Sequence, residues 1–174
     1  MMSSLRLTVA AVLLSLGAAG CGSVLRSDSP PEQIYVLRPA AAAQSTAATL
    51  PGMIAVARPQ MQPGLATPRI ALTRPGNRLD YYAASRWGAV LSQVVSAFAA
   101  ESLVASRRFE QVVEGSRGGA QFELQLTVRH FEAEYGSAGA PQAHVAFECL
   151  LTAGTPRRVL GTCDGEARVP AAAD

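Results

Sequence analysis

Phe122-Glu123-Leu124-Gln125-Leu126-Thr127-Val128-Arg129 alternates apolar and polar residues without a break. Successive side chains of a strand point to opposite faces. Phe122, Leu124, Leu126 and Val128 therefore share one face, and Glu123, Gln125, Thr127 and Arg129 the other. This is the strongest strand signal in the chain, inside a strand expected over 121–134. A sheet with one apolar face needs a second layer to cover it.

Downstream, Ala143 to Thr152 and Arg157 to Val169 read as two strands of a hairpin turning near Gly154-Thr155-Pro156. Upstream, Gly115-Ser116-Arg117-Gly118-Gly119 is a turn that follows a short strand, Phe109 to Val113. Before it lies the covering layer, a long helix expected over Ala84 to Ser106. Its apolar positions Trp87, Val90, Leu91, Val94, Val95 and Phe98 keep helical spacing, and Arg107-Arg108 are placed at its last turn. Further back, strands are expected at Ile34–Leu37, Met53–Ala57 and Ile70–Thr73, with a turn at Pro75-Gly76-Asn77. Residues 40–52 read as a surface loop. Pro59, Pro63 and Pro68 exclude regular structure over 59–69. Strands, one long amphipathic helix and more strands predict a single α/β sandwich domain with a mixed sheet.

The chain has 174 residues, enough for one domain and too few for two ordinary ones. Apolar residues make up 49% and charged residues 16%, which argues against a disordered chain. Fifteen basic residues, every one an arginine, face 13 acids. That balance leaves no electrostatic footprint for nucleic acid. The all-arginine usage reads as compositional bias, in keeping with the abundance of alanine.

The N-terminus decides the compartment. Arg6 precedes an apolar run from Leu7 to Leu16. At about ten residues the run is half of what a transmembrane helix needs, so residues 1–20 read as a signal peptide. It ends on Ala18-Ala19-Gly20-Cys21, which resembles a bacterial lipobox with Ala18 where many have leucine. The resemblance makes Cys21 the lipidation site and the new N-terminus. Gly22 follows it rather than the aspartate of inner-membrane lipoproteins, which implies the periplasmic face of the outer membrane. Residues 21–33 are then a tether reaching at most about 40 Å, and residues 34–174 the folded domain.

An exported chain meets an oxidising compartment, where paired cysteines usually bond. Cys149 and Cys163 are equidistant from Pro156, so turning the hairpin there sets them opposite each other and predicts a disulfide. The other reading is two buried free thiols.

Ile70-Ala71-Leu72-Thr73-Arg74, Gly76-Asn77-Arg78-Leu79-Asp80-Tyr81-Tyr82, Ser85-Arg86-Trp87-Gly88 and Phe109-Glu110-Gln111-Val112-Val113 together resemble the ABC-type transport auxiliary lipoprotein family. This is the group of paraquat-inducible protein C-like outer-membrane lipoproteins. The resemblance spans roughly residues 21–169 and contains no catalytic signature. It implies an α/β fold like that of anticodon-binding domains. It also implies a role beside a permease, an ATPase and an MCE-domain protein that move lipids or other hydrophobic molecules. Members usually continue into a second amphipathic helix, whereas this sequence stops at Val169-Pro170-Ala171-Ala172-Ala173-Asp174. Either the chain is a piece of a longer one, or one sheet face is bare and needs a partner.

No catalytic constellation can be assembled, so an enzyme is not expected. There is no G-x-S-x-G elbow, and Gly115 to Gly119 lacks the following Lys-Ser/Thr of a phosphate loop. His130 and His144, taken with Cys149 and Cys163, show neither C-x2-C nor H-x3-H spacing, so no metal or cofactor is expected. Trp87 reads as core. Tyr81 and Tyr82 read as an exposed aromatic pair and, with Arg86, as candidate partner contacts. The expected function is a lipid-anchored accessory subunit of an MCE-type ABC transporter. The alternatives are a scaffold for outer-membrane or cell-wall assembly and, more remotely, a hydrolase without a recognisable motif. A homo-oligomer stays open.

Overall fold

The computed structural model describes residues 31–40, 48–115, 118–137 and 140–171. The signal peptide, Cys21, most of the tether, most of the 40–52 loop and the last three residues lie outside them. The compact unit spans Glu32–Asp174.

Its strands are β1 Gln33–Tyr35, β2 Leu50–Val56, β3 Gln60–Met61, β4 Arg69–Arg74 and β5 Arg78–Trp87. Helix α1, Leu91–Ser106, follows, and then β6 Phe109–Glu114, β7 Phe122–Glu134, β8 Gln142–Ala153 and β9 Arg158–Pro170. All nine strands join one mixed sheet.

The alternating strand β7 is its axis. Along one edge it takes β2, β3 and β4 end to end, all parallel, at residues 122–124, 127–128 and 132–134. Backbone bonds from Ala57 to Leu124 and from Gln62 to Val128 continue that seam. Antiparallel β8 runs the length of the other edge, and β9 pairs with β8. β6 extends the sheet beyond β2, and β5 and then β1 beyond β4.

Helix α1 buries Leu91, Val95 and Ala100. Leu91 and Val95 pack with Leu126 and Val128 of β7 and with Leu65 and Ala71, and Leu124 and Phe131 pack against this cluster. The face that alternation assigned to the core is the one the helix covers. Arg107 closes α1 in the left-handed conformation, its N–H bonded to the Val104 carbonyl. The two arginines thus lie just beyond the last turn.

Three expectations are corrected. The helix begins at Leu91 rather than Ala84, because residues 84–87 belong to β5. Ser85 to Trp87 pair with β1, and the Trp87 N–H bonds the Pro68 carbonyl at 2.7 Å. Trp87 is therefore a strand residue; it packs on the core, edge-on to Phe131 at 5.6 Å. Residues 78–83, given no element from sequence, form the first part of β5. Finally, the proline-rich stretch 59–69 does contain a short strand, β3, because Gln60 and Met61 sit between prolines and reach β7.

Candidate functional site

Helix α1 covers only part of the sheet. Beside it an apolar groove of about 420 Å³ is floored by Leu126, Val128 and Phe131 of β7 and by Val145, Phe147 and Cys149 of β8. Val95, Phe98, Ala99 and Leu103 of α1 form its wall, with Leu37 and Cys163 also lining it. Strand β9 leaves this side open because its groove-facing residues are small. The Phe147 ring lies across Gly165, where a Cβ would come within 2.8 Å of it, yet Phe147 remains 37% exposed. Burial of apolar area stabilises by about 25 cal/mol per Å², so such a groove favours an apolar occupant.

Cys149 and Cys163 are register partners on β8 and β9 and are joined in a disulfide, with their Cα atoms 4.9 Å apart. The pairing read from the hairpin is the one formed.

The three candidate partner contacts are each half-buried and each has a partner within the chain. Adjacent on β5, Tyr81 and Tyr82 are both half-buried and each is engaged. Tyr81 packs on the core, donates its hydroxyl to the Gly64 carbonyl at 2.9 Å and carries the Arg69 guanidinium 3.9 Å above its ring. Tyr82 shares a 3.0 Å hydrogen bond with the Tyr135 hydroxyl. Arg86 donates to the Glu32 carboxylate at 2.6 Å.

The opposite face of β7, β8 and β9 is polar, and a β-bulge shapes it. Register shifts between Val128 and His130, so His130 pairs with Ala146 and Glu132 with His144. That puts His130, Glu132 and His144 on the side away from α1. The two imidazoles stack with centroids 4.1 Å apart, and His130 Nδ1 lies 2.7 Å from Glu132 Oε1. Glu166 and Glu134 flank His144 at 3.0 and 3.4 Å, and Arg168 joins these two carboxylates. The hydrogen bond from His144, followed by the charge of Arg168, holds the Glu166 carboxyl below the ordinary carboxylate range. Further along, the bidentate hydrogen bonds of Arg129 lower Glu148 in the same way. Spacing alone missed this cluster. Spacing groups the histidines with Cys149 and Cys163, which lie on the groove side, and does not point to Glu132.

Among the described residues no helix is long and apolar enough to cross a membrane. The described residues have the architecture of a small single-domain α/β protein, one helix on a mixed sheet, with an apolar groove on one face and a polar cluster on the other. The model of the ABC-type transport auxiliary lipoprotein component family matches residues 35–174, and the chain belongs to that family.

Solved structures share the fold, two of them as follows. The crystal structure of protein XCC0632 from Xanthomonas campestris is 19% identical with a TM-score of 0.67, covering 79% of this chain and 78% of that one. A second crystal structure, of an uncharacterized protein, is 15% identical with a TM-score of 0.58 over 81% of each chain. No curated relative matches the chain.

Proposed function

We propose that this protein is a lipid-anchored periplasmic accessory subunit of an MCE-type ABC transporter, which moves lipids or other hydrophobic molecules across the cell envelope. The observation that carries the reading is the family match over residues 35–174. The lipobox ending on Cys21 and the apolar groove beside α1 support it. The mechanism is positional and involves no catalysis. Acyl chains on Cys21 hold one end at the outer membrane, and the α/β body docks on the periplasmic part of the transporter. The tether reaches only about 40 Å, so the MCE-domain partner supplies most of the span between membranes.

Affinity purification from detergent-solubilised envelopes tests this. The expected result is co-purification of an MCE-domain protein together with its permease and ATPase. Recovery of cell-wall or porin-assembly proteins alone would replace the reading with that of an assembly scaffold.

A further inference from the structure

We propose that His130, Glu132 and His144 form a binding site for one divalent transition-metal ion of the zinc class, on the sheet face opposite α1. The donor set comes first. Two imidazoles and a carboxylate offer one ligand atom each, and these atoms all lie within 4.8 Å of one another. Nitrogen and oxygen donors of this kind suit zinc and its late first-row neighbours, at about 2.0–2.2 Å from the ion. The two ring planes are only 15° apart, so binding requires the exposed His130 ring to turn out of the stack until its lone pair meets that of His144 at the ion.

The backbone is arranged for this cluster. An uninterrupted period of two would leave His130 on the same face as Val128, in the apolar core. The bulge at Arg129 turns it over to the face that Glu132 and His144 occupy. Bulges of this kind re-aim side chains and are concentrated beside functional sites. Here the bulge takes a polar side chain out of the core and sets it against two other potential ligands.

Burial and charge agree. His144 is 3% exposed and the Glu132 side chain 6%, while the His130 side chain is 48% exposed. The floor of the site is fixed, and its outer ligand faces solvent, leaving a way in for an ion. Glu132, Glu134 and Glu166 bring three negative charges against the single guanidinium of Arg168. With neutral imidazoles the cluster carries two uncompensated negative charges, the complement of a divalent cation. The neighbouring arginines are committed elsewhere, Arg129 to Glu148 and Arg74 to Asp80. Glu166 also sits where a metal-binding histidine needs its support. A His144 Nε2–H donated to Glu166 at 3.0 Å leaves Nδ1 as the lone-pair nitrogen, where an ion would displace the Arg168 guanidinium that lies 3.5 Å away, and such carboxylate partners orient ligating histidines. Three protein ligands leave a fourth position for water or for a side chain from outside.

The test uses the full mature lipoprotein, purified in detergent without a histidine tag, stripped with chelator and titrated with Co²⁺. One equivalent is expected to bind, with visible d–d absorption, and Zn²⁺ is expected to displace it and raise the melting temperature. His130→Asn and Glu132→Gln are each expected to weaken Co²⁺ binding at least about tenfold. His130 is half exposed, so its variant keeps the wild-type circular dichroism even if Glu132→Gln perturbs folding. Absence of stoichiometric binding would overturn the proposal. So would Co²⁺ binding that both variants retain, since it would lie elsewhere on the chain.

Discussion

A protein with serine at both Cys149 and Cys163 is expected to be about 3 kcal/mol less stable than the disulfide-bonded form. The bridge spans a sequence separation of 14, and the figure is the loop-closure entropy the unfolded chain regains. Against a total of about 5–15 kcal/mol for a typical domain, that loss is large. It also has a place in the fold. β9 is almost wholly exposed and pairs only with β8, so the covalent tie and one ladder, with the ion pairs of Glu166 and Arg168, hold it. Urea unfolding should shift to a lower midpoint, and limited proteolysis should cut first within residues 158–170. Wild-type midpoints and cleavage patterns would mean that the ladder alone secures β9. Two free, alkylatable thiols in the exported wild-type protein would remove the premise.

Cys21→Ser is expected to move the protein from the membrane fraction to the soluble periplasm and to abolish incorporation of labelled palmitate. The reason is chemical: serine offers no thiol for acylation. Each buried methylene contributes about 0.8 kcal/mol to membrane binding, and two or more chains are needed for stable anchoring. No helix among the described residues is long and apolar enough to cross a membrane. If the variant still fractionated with membranes and resisted salt extraction, the anchor would lie elsewhere and the tether argument would lose its basis.

The legible parts of the fold were those set by local pattern. Alternation from Phe122 to Val128 gave the core face correctly, because Leu124, Leu126 and Val128 all pack in the cluster that holds Leu91 and Val95 of α1. The hairpin about Pro156 gave the register of Cys149 with Cys163. What failed was set by distant backbone. Trp87 fits helical spacing with Val90 and Leu91, but its N–H is claimed by Pro68, a partner that spacing does not reveal. Ala84 takes a positive φ of 50° inside β5, a conformation uncommon outside glycine.

The site was harder to read than the fold, for a related reason. Period two carried past Val128 puts His130 and His144 on opposite faces of the sheet. One extra residue in β7 stacks their rings instead, and no residue type in Val128-Arg129-His130 announces a bulge. Tyr81 and Tyr82 stand out in the sequence by their chemistry. Their hydroxyls turn out to serve internal bonds to Gly64 and Tyr135. The apolar groove was foreseen only as a bare sheet face, since its wall depends on where α1 begins and how far it reaches.

Direct binding between the purified lipoprotein and its MCE-domain protein, measured on an immobilised partner, tests the transporter reading most directly. The account expects saturable binding that an excess of unlabelled lipoprotein competes away, and that persists when Cys21→Ser removes the acyl chains. Absence of binding by the folded protein, at concentrations well above those in the envelope, would contradict it.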